Sequence, residues 1–118
     1  MKAFLINPFD RTVKQVEHTG GLKNMCFLIH CNLVTTVELN DQLDTLWIDD
    51  EGLLGDLETQ AFFTYAGYKQ PLAGYGLILG CDDEGASVEP KISIENVINS
   101  VKFLSLLEVR FLAEIGAV

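Results

Sequence analysis

The chain has 118 residues, 48% of them apolar, and a formal net charge of −9, a size and composition that suit one globular core (residues 1–118) and argue against disorder. No apolar run approaches the roughly 20 residues needed to cross a bilayer, and the short apolar start Met1–Ile6, broken by Asn7-Pro8 and Asp10-Arg11, does not read as a signal peptide. The acidity argues against direct contact with nucleic acid or anionic membrane, both of which need a basic face to displace counterions.

In chain order, the apolar run Lys2–Ile6 and the alternating Thr12–His18, separated by a spacer containing Asn7, Pro8 and Asp10, predict a β-hairpin. Gly20-Gly21 ends it. Leu22, Met25, Cys26 and Ile29 then recur at i, i+3, i+4 and i+7, which predicts a short amphipathic helix ending near His30. A second hairpin follows from the β-branched run 33–39, the turn-prone Asn40-Asp41 and the run 43–49. Residues 50–59 are acidic and carry two glycines, so they read as a surface loop. Phe62, Phe63 and Tyr65 suggest a strand, 67–74 a turn or loop around Pro71, 76–81 a buried strand, and 81–90 a further acidic loop.

Ser93 suits an N-cap, and Ile94, Val97, Ile98, Val101 and Leu104 repeat at helical spacing. Beyond them, Leu104, Leu107, Phe111 and Ile115 would continue a helix, while Phe103–Leu112 fits an edge strand equally well. Hairpins interspersed with helices, without a βαβ rhythm, define an α+β fold: a mostly antiparallel sheet of about five to six strands, covered on one face by two or three helices.

The charge is unevenly placed. Residues 24–90 hold twelve carboxylates against one base, Lys69, a net of −11, whereas the flanks together carry +2. Three cysteines, Cys26, Cys31 and Cys81, lack the spacing of a secreted disulfide framework and read as free, mostly buried thiols of a reducing cytoplasm. Two segments, 46–52 and 78–85, both run from an apolar strand into Asp-Asp-Glu-Gly, and one such echo is too little for a repeat architecture.

The pattern of Lys2–Pro8, then Asp49-Asp50-Glu51-Gly52-Leu53-Leu54, then Pro71-Leu72-Ala73-Gly74 leading to Gly80-Cys81-Asp82-Asp83-Glu84-Gly85, resembles one uncharacterised family of small proteins found mostly on phages, plasmids and other mobile elements. The similarity spans residues 1 to about 102 and leaves 103–118 without a counterpart. It implies an accessory protein of the mobile gene pool and brings no catalytic residues with it.

Candidate chemistry is sparse. Asp49, Asp50, Glu51, Asp82, Asp83 and Glu84 would offer a hard cation several oxygens if the two turns met, yet neither follows the twelve-residue calcium loop, and solvated turn acids explain them better. Cys26, His30 and Cys31, completed by Cys81 or His18, would make a zinc set, but no C-x₂-C pair exists and Cys26 belongs to the apolar stripe. His30 is the only base near a cysteine, and adjacent helical residues do not face one another, so a nucleophilic thiol is disfavoured. No phosphate or dinucleotide loop is present. The expectation is therefore a protein without metal, cofactor or catalytic residues, whose acidic face (38–58 and 82–89) docks a basic protein partner, a DNA-mimicking inhibitor being one version. The alternative is a small-molecule binder or weak enzyme with a pocket near Tyr65, Tyr68, Tyr75 and Cys81. The apolar tail from Leu104 onward further suggests a homodimer.

Overall fold

A sheet strand buried on both faces needs apolar residues at every position, and in the computed structural model the run Gly76–Cys81 takes that place. The structure describes residues 1–40, 42–53 and 56–116. Asp41, assigned above to a turn, Leu54 and Gly55 of the acidic segment, and Ala117 and Val118 of the apolar tail lie outside the described residues.

The first hairpin forms as expected from β1 (Lys2–Asn7) and β2 (Thr12–Glu17), paired from Lys2 opposite Glu17 to Asn7 opposite Thr12. Asn7 closes its turn by accepting from the backbone N–H groups of Phe9 and Asp10. Then come α1 (Gly21–Ile29), β3 (Val34–Glu38), β4 (Thr45–Asp49), β5 (Phe62–Tyr65), β6 (Leu72–Ala73), β7 (Gly76–Cys81), β8 (Ser87–Val88), α2 (Ile94–Ser100), β9 (Val101–Phe103) and α3 (Leu106–Glu114). The main sheet has the order β2-β1-β7-β4-β3, with β8 pairing the far end of β7. A smaller sheet has the order β6-β5-β9. Every pairing is antiparallel.

Side-chain alternation sends Phe4, Ile6, Leu46 and Ile78 to one face of the main sheet, where they meet Phe63, Tyr65 and Leu72 of the small sheet and Val97 of α2. Ala3, Leu77 and Leu79 point the other way, onto Met25 and Ile29 of α1. The outer face of the small sheet, Phe62 and Ala73, is closed by Val109 of α3. Helices therefore cover both outer sides, and not one face, because two stacked sheets bury each other's inner faces and leave two outer ones to cover. No helix among the described residues is long and apolar enough to cross a membrane.

Three local expectations change. Residues 81–90 are not only a loop, since Ser87 and Val88 return to pair with Cys81 and Gly80. Pro71–Gly74 contributes β6, which pairs with β5. The helix begun at the Ser93 cap, whose hydroxyl accepts from Asn96, stops at Ser100. Val101 turns extended so that 101–103 can pair with Tyr65–Phe63, and Ser105 then opens α3 with a full capping box to Glu108. Strand and helix thus both occur beyond residue 100, in succession. The Ser105 amide, and after it Lys102, hold the Glu108 carboxyl below its usual range, so the box stabilises α3 at neutral pH and loses this contribution as the pH falls through the carboxylate range.

Glycines at 76 and 80 allow close approach. A Cβ on Gly80 would sit 2.5 Å from the Glu89 carbonyl oxygen, a backbone group that cannot swing away. Gly80→Ala is expected to lower stability by about 1–3 kcal/mol in urea unfolding, and an unchanged midpoint would show that β8 is not held against β7.

Candidate functional site

The acidic turns are built by their first aspartates. Asp49 Oδ1 accepts from the Glu51 amide, and Asp82 Oδ1 accepts from the Glu84 and Ala86 amides, so each side chain caps its own turn. Asp50, Glu51, Asp83 and Glu84 are thereby left exposed. Yet the two turns do not meet. Thr45 lies opposite Leu79 and Ile48 opposite Gly76, so the carboxyl ends of the antiparallel strands β4 and β7 lie at opposite ends of the sheet, about 20 Å apart at 3.4 Å per residue. The shared cation site is therefore ruled out by register, and the acidic surface divides between two ends of the sheet.

One carboxylate counted with that surface belongs elsewhere. Asp44 is 0% exposed. Its Oδ1 accepts from the Lys91 amide at 2.8 Å, and its Oδ2 from the Ile92 amide at 2.8 Å and from Asn40 Nδ2 at 3.0 Å. It ties the β3–β4 turn to the segment leading into α2. The spacing Asn40-x₃-Asp44 inside a turn was its only signal in the sequence.

The tyrosines do not converge. Tyr65 lies in the core between the sheets, while Tyr75 faces the α1 side and stacks on His30 with ring centroids 4.5 Å apart. Tyr68 borders a cleft with Asp49, Asp50 and Pro71, and Cys81 sits at the end of β7. The pocket expected at Tyr65, Tyr68, Tyr75 and Cys81 is thus dispersed over both faces of the main sheet. The Tyr65 hydroxyl is buried and makes no well-formed hydrogen bond, the Ser100 hydroxyl being its polar neighbour. Burial pushes its pKa above the usual tyrosine value, partly offset by the neighbouring Ser100 hydroxyl and reinforced by the Asp44 charge.

Among the described residues no three His, Cys, Asp or Glu side chains are placed to hold a metal. His18 is buried at the amino end of α1 and bonds Asn24, while Cys26, His30 and Cys31 lie around its carboxyl end. Burial, then the Cys26 thiol and the Asp49 carboxylate, push the Cys31 thiol up to about 12, so it rests protonated at neutral pH.

An apolar groove lies where the sequence left helix and strand undecided. Thr64 and Lys102 of the small sheet, with Leu104, Leu107, Glu108, Phe111 and Leu112, line a groove of about 590 Å³. Leu107 is 77% and Phe111 60% exposed. Only one side of α3 is needed to cover the small sheet, through Val109, so its other apolar residues face outward. Lys102 and Glu108 pair across the rim at 3.3 Å, and Arg110 pairs with Glu58.

These features define a two-sheet α+β domain with acidic ends and an apolar groove. The chain belongs to the family described as domain of unknown function DUF3846, whose model matches residues 1–101, close to the extent of the resemblance seen in the sequence; α3 lies beyond the match. An uncharacterized protein, y4iR, of Sinorhizobium fredii (strain NBRC 101917 / NGR234) is 34% identical over 97 residues, covering 80% of this chain and 58% of the relative. The chain thus spans little more than half the length of that relative. No solved structure matches it.

Proposed function

We propose that this domain is a noncatalytic interaction module that associates with a second copy of itself through the groove beside α3. The observation that carries this is the exposure of Leu107 and Phe111 next to a groove of about 590 Å³, since contiguous exposed apolar surface marks contact sites. Charge selects the occupant. The chain as a whole carries −9, but the groove's rim holds one base, Lys102, and one acid, Glu108. A two-fold axis there sets each base of one copy against the acid of the other, and the patch complements itself.

A second contact is favoured by Asp50, Glu51, Asp83 and Glu84, which are exposed and without an ion pair among the described residues. They suit a basic protein, in keeping with an accessory role on a mobile element, of which DNA-mimicking inhibition is one version. Such a partner would span the roughly 20 Å between the two turns or engage one of them.

Light scattering tests the first contact. The native protein should scatter as a dimer in the micromolar range, and the pair Leu107→Asp, Phe111→Asp should weaken association at least about 100-fold and give a 13.1 kDa monomer. A native particle of 13.1 kDa at every concentration would overturn the dimer. Changing Asp50, Glu51, Asp83 and Glu84 to Lys should leave the dimer intact and abolish salt-sensitive capture of basic protein from lysate; undiminished capture would remove the acidic contact. Asp49 and Asp82 are left in place because they hold the turns.

A further inference from the structure

The carboxyl end of α1 holds two thiols in a geometry the fold itself imposes. His30 adopts the left-handed conformation (φ 61°, ψ 47°), and its N–H and that of Cys31 both donate to the Cys26 carbonyl, the latter at 3.1 Å. This is the six-to-one closure in which the residue after the left-handed position meets the one five back, side chain against side chain. Here both are cysteines.

Standard bond lengths and that 3.1 Å bond limit the separation of the two Cα atoms to about 7 Å, at the upper edge of the range of about 4.4–6.8 Å that a disulfide spans. Both residues are only half-buried, and both line one open cleft of about 360 Å³ with Lys23, Phe27, His30 and Asn32. The Cys26 thiol lies 3.8 Å from the Asn32 carbonyl, so it too faces the segment that carries Cys31. Cys81 sits at the far end of β7, the strand that packs against α1 from beneath, and is not part of the cleft.

We infer that Cys26 and Cys31 form a dithiol modification site that closes to an intramolecular disulfide when a low-molecular-weight disulfide reaches the cleft. The Cys26 thiolate attacks one sulfur of the small disulfide, forming the mixed disulfide and releasing one small thiolate. Cys31 then loses its proton to solvent and attacks Cys26 Sγ, and the second small thiolate leaves. Two protein thiols are oxidised and one small disulfide is reduced to two thiols, so the electrons balance. The mixed disulfide also removes the Cys26 charge, one of the influences that hold Cys31 protonated, which favours the second step after the first. Closure ties the end of α1 to the approach to β3 through two residues that the native hydrogen bond already joins.

The test uses the full chain with Cys81→Ser, so that only the paired thiols remain, incubated with excess glutathione disulfide, quenched by alkylation in denaturant and weighed intact. The expected product has lost two hydrogens and takes up no alkylating agent, while Cys26→Ser and Cys31→Ser, each combined with Cys81→Ser, stop at one glutathione adduct or stay unmodified. Two glutathione adducts per chain, or two free thiols under the same oxidant, would overturn the inference. A second measurement on the unsubstituted protein guards against misfolded variants: peptide mapping should find Cys26 joined to Cys31, and a bridge to Cys81 in its place would also overturn it.

Discussion

Asp44→Ala is expected to destabilise the protein by about 3–5 kcal/mol, because it leaves several buried donors unmet at about 1–3 kcal/mol each. The carboxylate is fully buried and answers three donors, the amides of Lys91 and Ile92 and the side chain of Asn40. Its removal strands these donors in a site where each unmet group costs about 1–3 kcal/mol. The loss should exceed that of any exposed acid in the chain, where changes stay within about 0.5 kcal/mol. Urea denaturation reads it directly. Asp44→Asn keeps the size but offers one acceptor oxygen for three donors, so it should fall between the two, and it preserves the test if the alanine form does not fold. A loss below about 1 kcal/mol in both would mean that water replaces the carboxylate and that the β3–β4 turn is not tied to the start of α2.

The second large effect is expected at Phe63, where alanine should cost about 3–5 kcal/mol. Its ring is 0% exposed and fills the space between the two sheets above Gly76. A Cβ at Gly76 would come within 3.0 Å of the Phe63 ring and 2.8 Å of Leu46 Cδ1. Gly76→Ala alone should therefore overpack the core, at about 1–3 kcal/mol. In the Phe63→Ala background the added methyl enters the vacated space, so the double variant should be more stable than the sum of the two losses predicts by about 0.5 kcal/mol or more. Strict additivity would show that the ring and the glycine do not share one site, and the stacking of the small sheet on the main one would need another explanation.

Both effects arise from contacts between distant parts of the chain, and that marks what could be read from the residues alone. The apolar run Lys2–Ile6, the alternation in Thr12–His18, helical spacing in Leu22–Ile29, the β-branched run before Asn40, and the Ser93 cap are local signals, and β1, β2, α1, β3, β4 and the start of α2 stand where these signals put them. The α+β class follows from their order. Local signals do not say which strands become neighbours. The two Asp-Asp-Glu-Gly turns look alike and close in character, but the antiparallel register of β4 and β7 sends them to opposite ends of the sheet. Asp44 looks like one more solvated acid until the Lys91 and Ile92 amides, 47 and 48 residues away, close on it.

The carboxyl-terminal segment shows the same limit from the other side. Its apolar residues satisfy helix and strand spacing together, and the choice falls to pairing with β5. Val101–Phe103 has an open edge to join at Phe63–Tyr65, so it leaves the helix begun at Ser93, and the chain restarts as a helix only where Ser105 can cap it. By itself the sequence determined the local elements, the acidity and the surplus of apolar residues near its end. Only the tertiary structure decided which acids are buried, which are apart and where the surplus forms a groove, because burial and pairing depend on long-range contacts that the backbone's local preferences do not encode.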